Sequence, residues 1–458
     1  MEKNVTIGMQ KITGLFDSGS FVEIGAYLKR ADGDLVGAVC GYGAINGKLA
    51  YAFVQDCDRE KGAFDAAQAK KIGMLYEMAL KNGAPVIGVF DSIGTYISDG
   101  ASALDAYGKL LSCVGKASGV IPQIAVIDGV CAGMSATVAA MFDVMIMVKD
   151  HAKLYVNTPF LLGKEVGTAE YAAEKGLSSM TAESGEDAVA KARALVDLLP
   201  ANCEDGVAAE ELQDDVNRAV AVNGLSGRDL ASVIADAGLF TEIGTAYAPE
   251  MVTGLARIGG VCCGIVANNG VENGGVLTAE GAKKAAKLIS FCDSFGIPLV
   301  TLTDSEGVAL SKTEEGSPLA AQLGKLAMAY ATADTAKITA VVGKAYGAAF
   351  TLMGSRSLGA DVVYALPDAE ISVMAPEAAV AFLWNDRITE AKTEPKSRED
   401  LVAEWKSTCA SATAAAADGS IDDVIPAAEL RARICSAVYM LMMKRSDFSA
   451  RKHCNLPL

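Results

Sequence analysis

The chain has 458 residues, of which 51% are hydrophobic and 21% charged, and carries a formal charge of −16. That length exceeds what one hydrophobic core sustains, about 250–300 residues, so two domains of roughly 200–230 residues are expected. The acidic balance argues against nucleic acid, whose phosphates demand Lys/Arg stripes, and an anionic ligand must be met by local backbone donors or a few chosen cations.

The opening stretch MEKNVTIGMQKITGLFDSGSF has neither the apolar core nor the cleavage site of a secretory signal. Periodicity then predicts a helix over 64–82, a Pro-led apolar strand PVIGVFD, a Gly turn and a second helix over 101–117. A strand over 123–127, a small-residue turn into a helix and a further apolar strand over 144–148 follow. Near 200–230 the acidic stretch PANCEDGVAAEELQDD reads as a linker. The same order then returns: helix 279–295, strand PLVTLTD, helix 319–332, strand 338–342, small-residue turn, strand 362–366. Continuously apolar strands alternating with helices predict an α/β fold with mostly parallel, face-covered sheets.

The recurrence extends to residues. AKKIGMLYEMALKNGAPVIGVFDSIG (69–94) lies over AKKAAKLISFCDSFGIPLVTLTDSEG (282–307), matching Pro85 to Pro298, Asp91 to Asp304 and Gly94 to Gly307. FVEIG (21–25) echoes FTEIG (240–244), and IPQIAVIDGVCAGMSA parallels TAKITAVVGKAYGAAF. Two copies of one fold are read here, with domains 1–225 and 226–458.

Eleven scattered cysteines without a CxxC pair fit buried, reduced thiols and a cytoplasmic protein. The apolar stretch 118–148 is interrupted by Asp128 and Asp143, which favours a buried sheet unit over a membrane span and argues against direct membrane insertion. The two histidines, His151 and His453, leave little material for a Ser-His-Asp triad or a histidine zinc site, and no metal is expected.

GYGAIN (41–46) lacks the third glycine of a dinucleotide loop and precedes a strand. Gly133-Met134-Ser135 begins like a nucleophile elbow, but the second glycine is missing and the repeat has no serine there, so Ser135 reads as a cap or packed hydroxyl. CAGMSA (131–136) and AYGAAF (345–350) occupy equivalent turns, each offering adjacent backbone N–H groups, the arrangement of an oxyanion hole. Tight helix–strand packing would explain the same small residues.

Motifs in order along nearly the whole chain give a resemblance. LFDSGSFVEI (15–24), SGVIPQIAVIDGVCAGMSA (118–136), LISFCDSFGIPLVTLTD (288–304), ITAVVGKAYGAAF (338–350), GSIDDVIPAAELRARI (419–434) and the closing RKHCNLPL are similar to the signatures of carboxyltransferase subunits of biotin-dependent acyl-CoA carboxylases and decarboxylases, of the propionyl-CoA carboxylase beta and methylmalonyl-CoA decarboxylase alpha type. The resemblance implies two tandem crotonase-like domains. It implies transfer of a carboxyl group between biotin on a separate carrier protein and a short acyl-CoA, propionyl-/methylmalonyl- or acetyl-/malonyl-CoA. One oxyanion hole would hold the thioester enolate and the other the biotin ureido oxygen. By motif position the first hole falls on Gly133 and Met134 and the second on Ala348 and Ala349. Substrate contacts fall on Ser92, Ile93, Gly94 and Ala132 in the first copy and on Gly347, Phe350 and Thr351 in the second. A hexamer is implied, working with a biotin carboxyl carrier protein and either a biotin carboxylase or a membrane decarboxylase subunit.

Departures are specific. Met134 stands where the family has Gly, Ala348 replaces Gly, and SIGTYISDG (92–100) puts Ile93 for Gly and Tyr96 for Arg, while Glu306 enters DSEGV (304–308). Glu306 reads as a solvated loop charge. No four-cysteine zinc motif precedes the first domain, which disfavours the split bacterial acetyl-CoA carboxylase type. A non-catalytic structural paralogue, motivated by Met134, Ile93 and Tyr96, and an enoyl-CoA hydratase or isomerase stand as alternatives.

Overall fold

A computed structural model describes residues 6–445 except 31, 159–161, 164, 208, 213 and 390–396, so His453 and the RKHCNLPL motif lie outside the described residues. The chain divides into two compact units, Met1–Gly206 and Val207–Leu458.

In the first unit, helix α1 (Ile7–Leu15) precedes strands β1 (Val22–Glu23), β2 (Ala38–Ile45) and β3 (Lys48–Gln55). The AKK segment forms α2 (Ala66–Asn82): Asp65 caps its start by accepting Gln68 N–H, and Gly83 ends it in the left-handed region at φ 58°. Next come β4 (Val86–Ser92), α3 (Ala101–Ala117), β5 (Gln123–Ala132), α4 (Met134–Ala140), β6 (Val144–Val148), β7 (Lys153–Tyr155), α5 (Ala169–Glu174), β8 (Met180–Ala182) and α6 (Gly185–Leu198).

The second unit repeats the plan with α7 (Gly227–Ile234), β9 (Phe240–Glu242), β10 (Met251–Ile258), β11 (Val261–Asn268), α8 (Ala279–Ser294), β12 (Leu299–Ser305), α9 (Lys312–Glu315), α10 (Leu319–Thr332), β13 (Lys337–Tyr346), α11 (Ala348–Leu352), β14 (Val362–Ala365) and β15 (Glu370–Ser372). It continues through α12 (Pro376–Leu383), α13 (Asn385–Thr389), α14 (Arg398–Cys409), α15 (Ala412–Ala417), β16 (Asp423–Val424) and α16 (Leu430–Leu441).

The described strands form two eight-stranded sheets of matching order. The first runs β1-β2-β3-β4-β5-β6-β8 with β7 on β5, and the second β9-β10-β11-β12-β13-β14-β16 with β15 on β13. An antiparallel hairpin opens each sheet (β2/β3, β10/β11), and the strands that follow are parallel. The central strands are buried throughout their apolar runs, as Val86–Val89 and Leu299–Leu302 are, which is why they read as continuous rather than alternating.

In α2 and α8 one face, including Ile72, Leu75 and Tyr76 or Leu288 and Ile289, is removed from water, each large side chain contributing about 1.5–3 kcal/mol. The repeated second lysine is buried in both helices. Lys71 Nζ reaches Glu23 Oε1 at 3.1 Å and Ala38 O at 2.9 Å, while Lys284 Nζ donates to Tyr247 O at 2.7 Å. Burial lowers the Lys284 pKa to about 8.

Two expectations change. The strand expected over 123–127 continues to Ala132 because β5 exchanges one neighbour for another: Ile124–Ile127 pair with β6, then Val130–Ala132 with β7. The domain boundary also moves. Residues 207–225, read from sequence as the end of the first domain, pack in the second unit, where Val220 and Val222 join its core beside Leu230 and Ile234. Arg431, fully buried on α16, donates to Asp215 O and pairs with Asp236 and Asp214. The end of the acidic, linker-like stretch is thus held in the second unit by Asp214 and Asp215.

Among the described residues no helix is long and apolar enough to cross a membrane, and the ten described cysteines are free thiols.

Candidate active site

The site grows from a bulge common to both sheets. Phe90 pairs with Ile127 and Ser92 with Cys131, so β5 carries two residues more than β4 between these pairs. Thr303–Val341 and Ser305–Ala345 repeat the mismatch in the second unit. Into each bulge a carboxylate inserts: Asp91 Oδ1 accepts Val130 N–H at 3.2 Å, and Asp304 Oδ1 accepts Lys344 N–H at 2.8 Å. Gly129 and Gly343 lie against these carboxylates.

Past the bulge each strand ends in a glycine of nearly identical conformation, Gly133 (φ 62°, ψ −128°) and Gly347 (φ 57°, ψ −134°), from which α4 and α11 depart. A positive φ favours glycine, so these two positions are dictated by the turn. Each turn is flanked by a loop of one design. Ser92 Oγ accepts Gly94 N–H (3.1 Å) and Ser305 Oγ accepts Gly307 N–H (3.2 Å), while Gly94 O and Gly307 O accept Phe64 N–H and Leu277 N–H. The loop glycine meets the strand end: a Cβ on Gly94 would lie 3.5 Å from Ala132 O, and one on Gly307 would lie 3.7 Å from Tyr346 O. Ser92, Gly94, Ala132, Gly133 and Met134 are thereby brought to one place in the first unit, with Ile93 exposed on the rim.

The donor assignment in the first unit changes. Gly133 N–H donates to Tyr155 O at 2.9 Å, as Gly347 N–H donates to Ser372 O at 2.8 Å. Gly133 therefore shapes the turn as Gly347 does, and the pair equivalent to Ala348 and Ala349 is Met134 and Ser135. Ala136 N–H turns back on Gly133 O at 3.1 Å, and the two amides before it sit at the open end of the helix, where N–H groups have no intrahelical acceptor. Met134 is half-buried where Ala348 is exposed.

In the second unit Gly347, Phe350 and Thr351 line one cavity of about 530 Å³, together with Ser372, Cys409 and Asp418. Its wall is braced from behind. Trp405 Nε1–H donates to Ser372 Oγ at 3.3 Å, Tyr346 hydroxyl donates to Glu370, and Lys406 Nζ holds the other Glu370 oxygen at 2.7 Å.

The remaining candidates resolve as follows. Ser135 is buried and its Oγ lies 2.8 Å from Tyr107 hydroxyl, with no imidazole at hand. Among the described residues the one histidine, His151, instead pairs through Nε2 with Asp128 Oδ1 at 2.8 Å, and Lys11 Nζ holds the other oxygen at 2.9 Å. Glu306 forms a half-exposed ion pair with Lys344 at 2.7 Å. Tyr96 carries the Arg30 guanidinium 4.5 Å above its ring, and Arg30 is in turn paired with Asp65 at 3.2 Å. Sequence reasoning missed Arg30, because 66 residues of chain carry no local signal of such a stack.

A family model, the carboxyl transferase domain, matches residues 2–456. The methylmalonyl-CoA carboxyltransferase 12S subunit of Propionibacterium freudenreichii subsp. shermanii is 35% identical over 98% of this chain and 91% of its own length. The methylmalonyl-CoA decarboxylase subunit alpha of Veillonella parvula is 34% identical over 98% of this chain and 92% of its own. The fold is that of the transcarboxylase 12S crystal structure, a hexamer assembly with methylmalonyl-coenzyme A and methylmalonic acid bound, at a TM-score of 0.92 and 34% identity over 98% of this chain and 92% of that one. With its paired turns, repeated sheets and tandem crotonase-like units, the chain belongs to the carboxyl transferase domain family of biotin-dependent acyl-CoA carboxyltransferases.

Proposed function

We propose that the chain moves a carboxyl group between N1-carboxybiotin and the α carbon of a short acyl-CoA, propionyl-/methylmalonyl- or acetyl-/malonyl-CoA, with oxyanions held by backbone amides. The observation that carries this reading is the matched pair of glycine turns at 133 and 347, each with its N–H tied to a neighbouring strand and the next two amides left at an open helix end. Biotin, on a separate carrier protein, supplies the carboxyl group or accepts it. The amides of Met134 and Ser135 in the first unit and of Ala348 and Ala349 in the second each face an oxygen that gains negative charge, and each such donor is worth about 2.7–4 kcal/mol in a preorganised site. Small side chains at the second turn admit a carbonyl or ureido oxygen, and the cavity beside Gly347, Phe350 and Thr351 has room for a short acyl group or a bicyclic ring. Substrate contact at the first turn is assigned to Ser92, Ile93, Gly94 and Ala132, where the Gly94 loop meets the strand end.

Charge stabilisation by amides requires no histidine and no metal ion in this chain. A homohexamer working in the cytoplasm is part of the proposal, its assembly supported by the hexamer of the transcarboxylase 12S structure. A biotin carboxyl carrier protein and either a biotin carboxylase or a membrane decarboxylase subunit complete it.

The test is decarboxylation of malonyl-, methylmalonyl- and glutaconyl-CoA by the purified chain with and without free biotin. Turnover that requires biotin is expected with one of the three. Absence of turnover together with no calorimetric binding of any CoA ester overturns the proposal in favour of a structural paralogue. Biotin-independent hydration of crotonyl-CoA overturns it in favour of a hydratase.

A further inference from the structure

Behind the first turn lies a buried cluster of hydroxyls that the amide chemistry does not use. Tyr107, on α3, is 1% exposed and its hydroxyl meets Ser135 Oγ at 2.8 Å. Burial pushes the pKa of this phenol up to about 12, so it stays a neutral donor and acceptor. Its ring lies 4.4 Å from that of Phe64, whose backbone brackets the loop by donating to Gly94 O (2.7 Å) and accepting from Tyr96 N–H (2.9 Å). The second unit is built otherwise: Ala349 stands for Ser135, so the hydroxyl that Tyr107 bonds has no counterpart there.

We propose that Tyr107 is a positioning residue for the first turn: its ring packs on Phe64, which brackets the 92–95 loop, and its hydroxyl bonds Ser135, so that the two segments flanking a bound carbonyl hold one spacing. The proposal rests on the reading that this turn holds a substrate oxyanion. It gives Ser135 a role without nucleophilic chemistry: its amide faces the ligand and its hydroxyl anchors the amide from behind. An oxyanion donor acts through preorganisation, so a tie of this kind affects the transition state more than ground-state binding.

The test uses the full-length protein with Tyr107→Phe, which keeps the ring on Phe64, Ser135→Ala and the double variant. In biotin-dependent decarboxylation each single change is expected to lower kcat about fivefold, the worth of one buried neutral hydrogen bond, with KM for acyl-CoA and biotin unchanged. The double variant is expected to lose no more than either single one, since both remove the same link. Losses that multiply to about 25-fold, or wild-type kcat in both single variants, overturn the proposal. Amide hydrogen exchange of the unliganded protein separates it from the carboxyltransferase reading. Each variant is expected to speed exchange in segments 92–97 and 133–141 together, and a rise confined to the substituted segment overturns the tie. A wild-type chain inactive with every acyl-CoA but coupled in exchange overturns the carboxyltransferase reading and leaves the tie established.

Discussion

Asp91 occupies the space in which a side chain at position 129 would begin: a Cβ on Gly129 would lie 2.1 Å from Asp91 Oδ1, the oxygen that accepts Val130 N–H. Asp304 and Gly343 repeat the relationship at 2.2 Å. The glycine that interrupts an apolar strand is thus the consequence of a carboxylate 38 positions earlier, which inserts into the bulge before the Gly133 turn.

Gly129→Ala is expected to destabilise the protein by about 1–3 kcal/mol, because neither the carboxylate nor the backbone it bonds can withdraw cheaply. Gly14→Ala, where an added Cβ meets nothing inside α1, is expected to stabilise by about 0.5–1 kcal/mol and serves as the control. Urea midpoints of the two variants check the contrast.

Met134→Pro removes one amide donor at the first position of α4, where proline is tolerated because that N–H makes no intrahelical bond. The thermal midpoint is expected to stay near that of the wild type while biotin-dependent turnover falls about 100- to 1,000-fold. Equal loss of fold and activity in circular dichroism and rate assays would contradict the donor role.

Arg431 is wholly buried between Asp236 (2.7 Å) and Asp214 (3.4 Å), and Asp236 also accepts Gly259 N–H and Gly260 N–H. Arg431→Ala strands those carboxylates and is expected to cost about 3–5 kcal/mol. Arg431→Lys retains the charge but not the forked donor set, so its denaturation midpoint should fall between the two.

Asp214 supplies the pH dependence. The Arg218 guanidinium, bonded to both of its oxygens, holds its pKa down to about 2, with Ala237 N–H and Arg431 adding to the effect. A depressed carboxylate stabilises the fold above its unfolded pKa, near 4, and that contribution is lost as pH falls from about 4 to 2. Denaturation midpoints of the wild type and Asp214→Asn should differ most above pH ~5 and converge toward pH ~2.

Hydrophobic periodicity and the internal repeat were enough to place the helices at 101–117 and 319–332, the strand at 144–148, the doubled α/β plan and the two small-residue turns, because each is written in residues close together in the chain. The tertiary structure decided the rest. Which amide of the first turn is already bonded depends on Tyr155, what fills the β5 bulge depends on Asp91, what holds Asp214 and Asp215 in the second unit depends on Arg431, and what Ser135 touches depends on Tyr107. All four are hydrogen bonds or ion pairs between segments tens to hundreds of residues apart. Strand register and the bulge bring those partners together, and neither leaves a period in the local sequence.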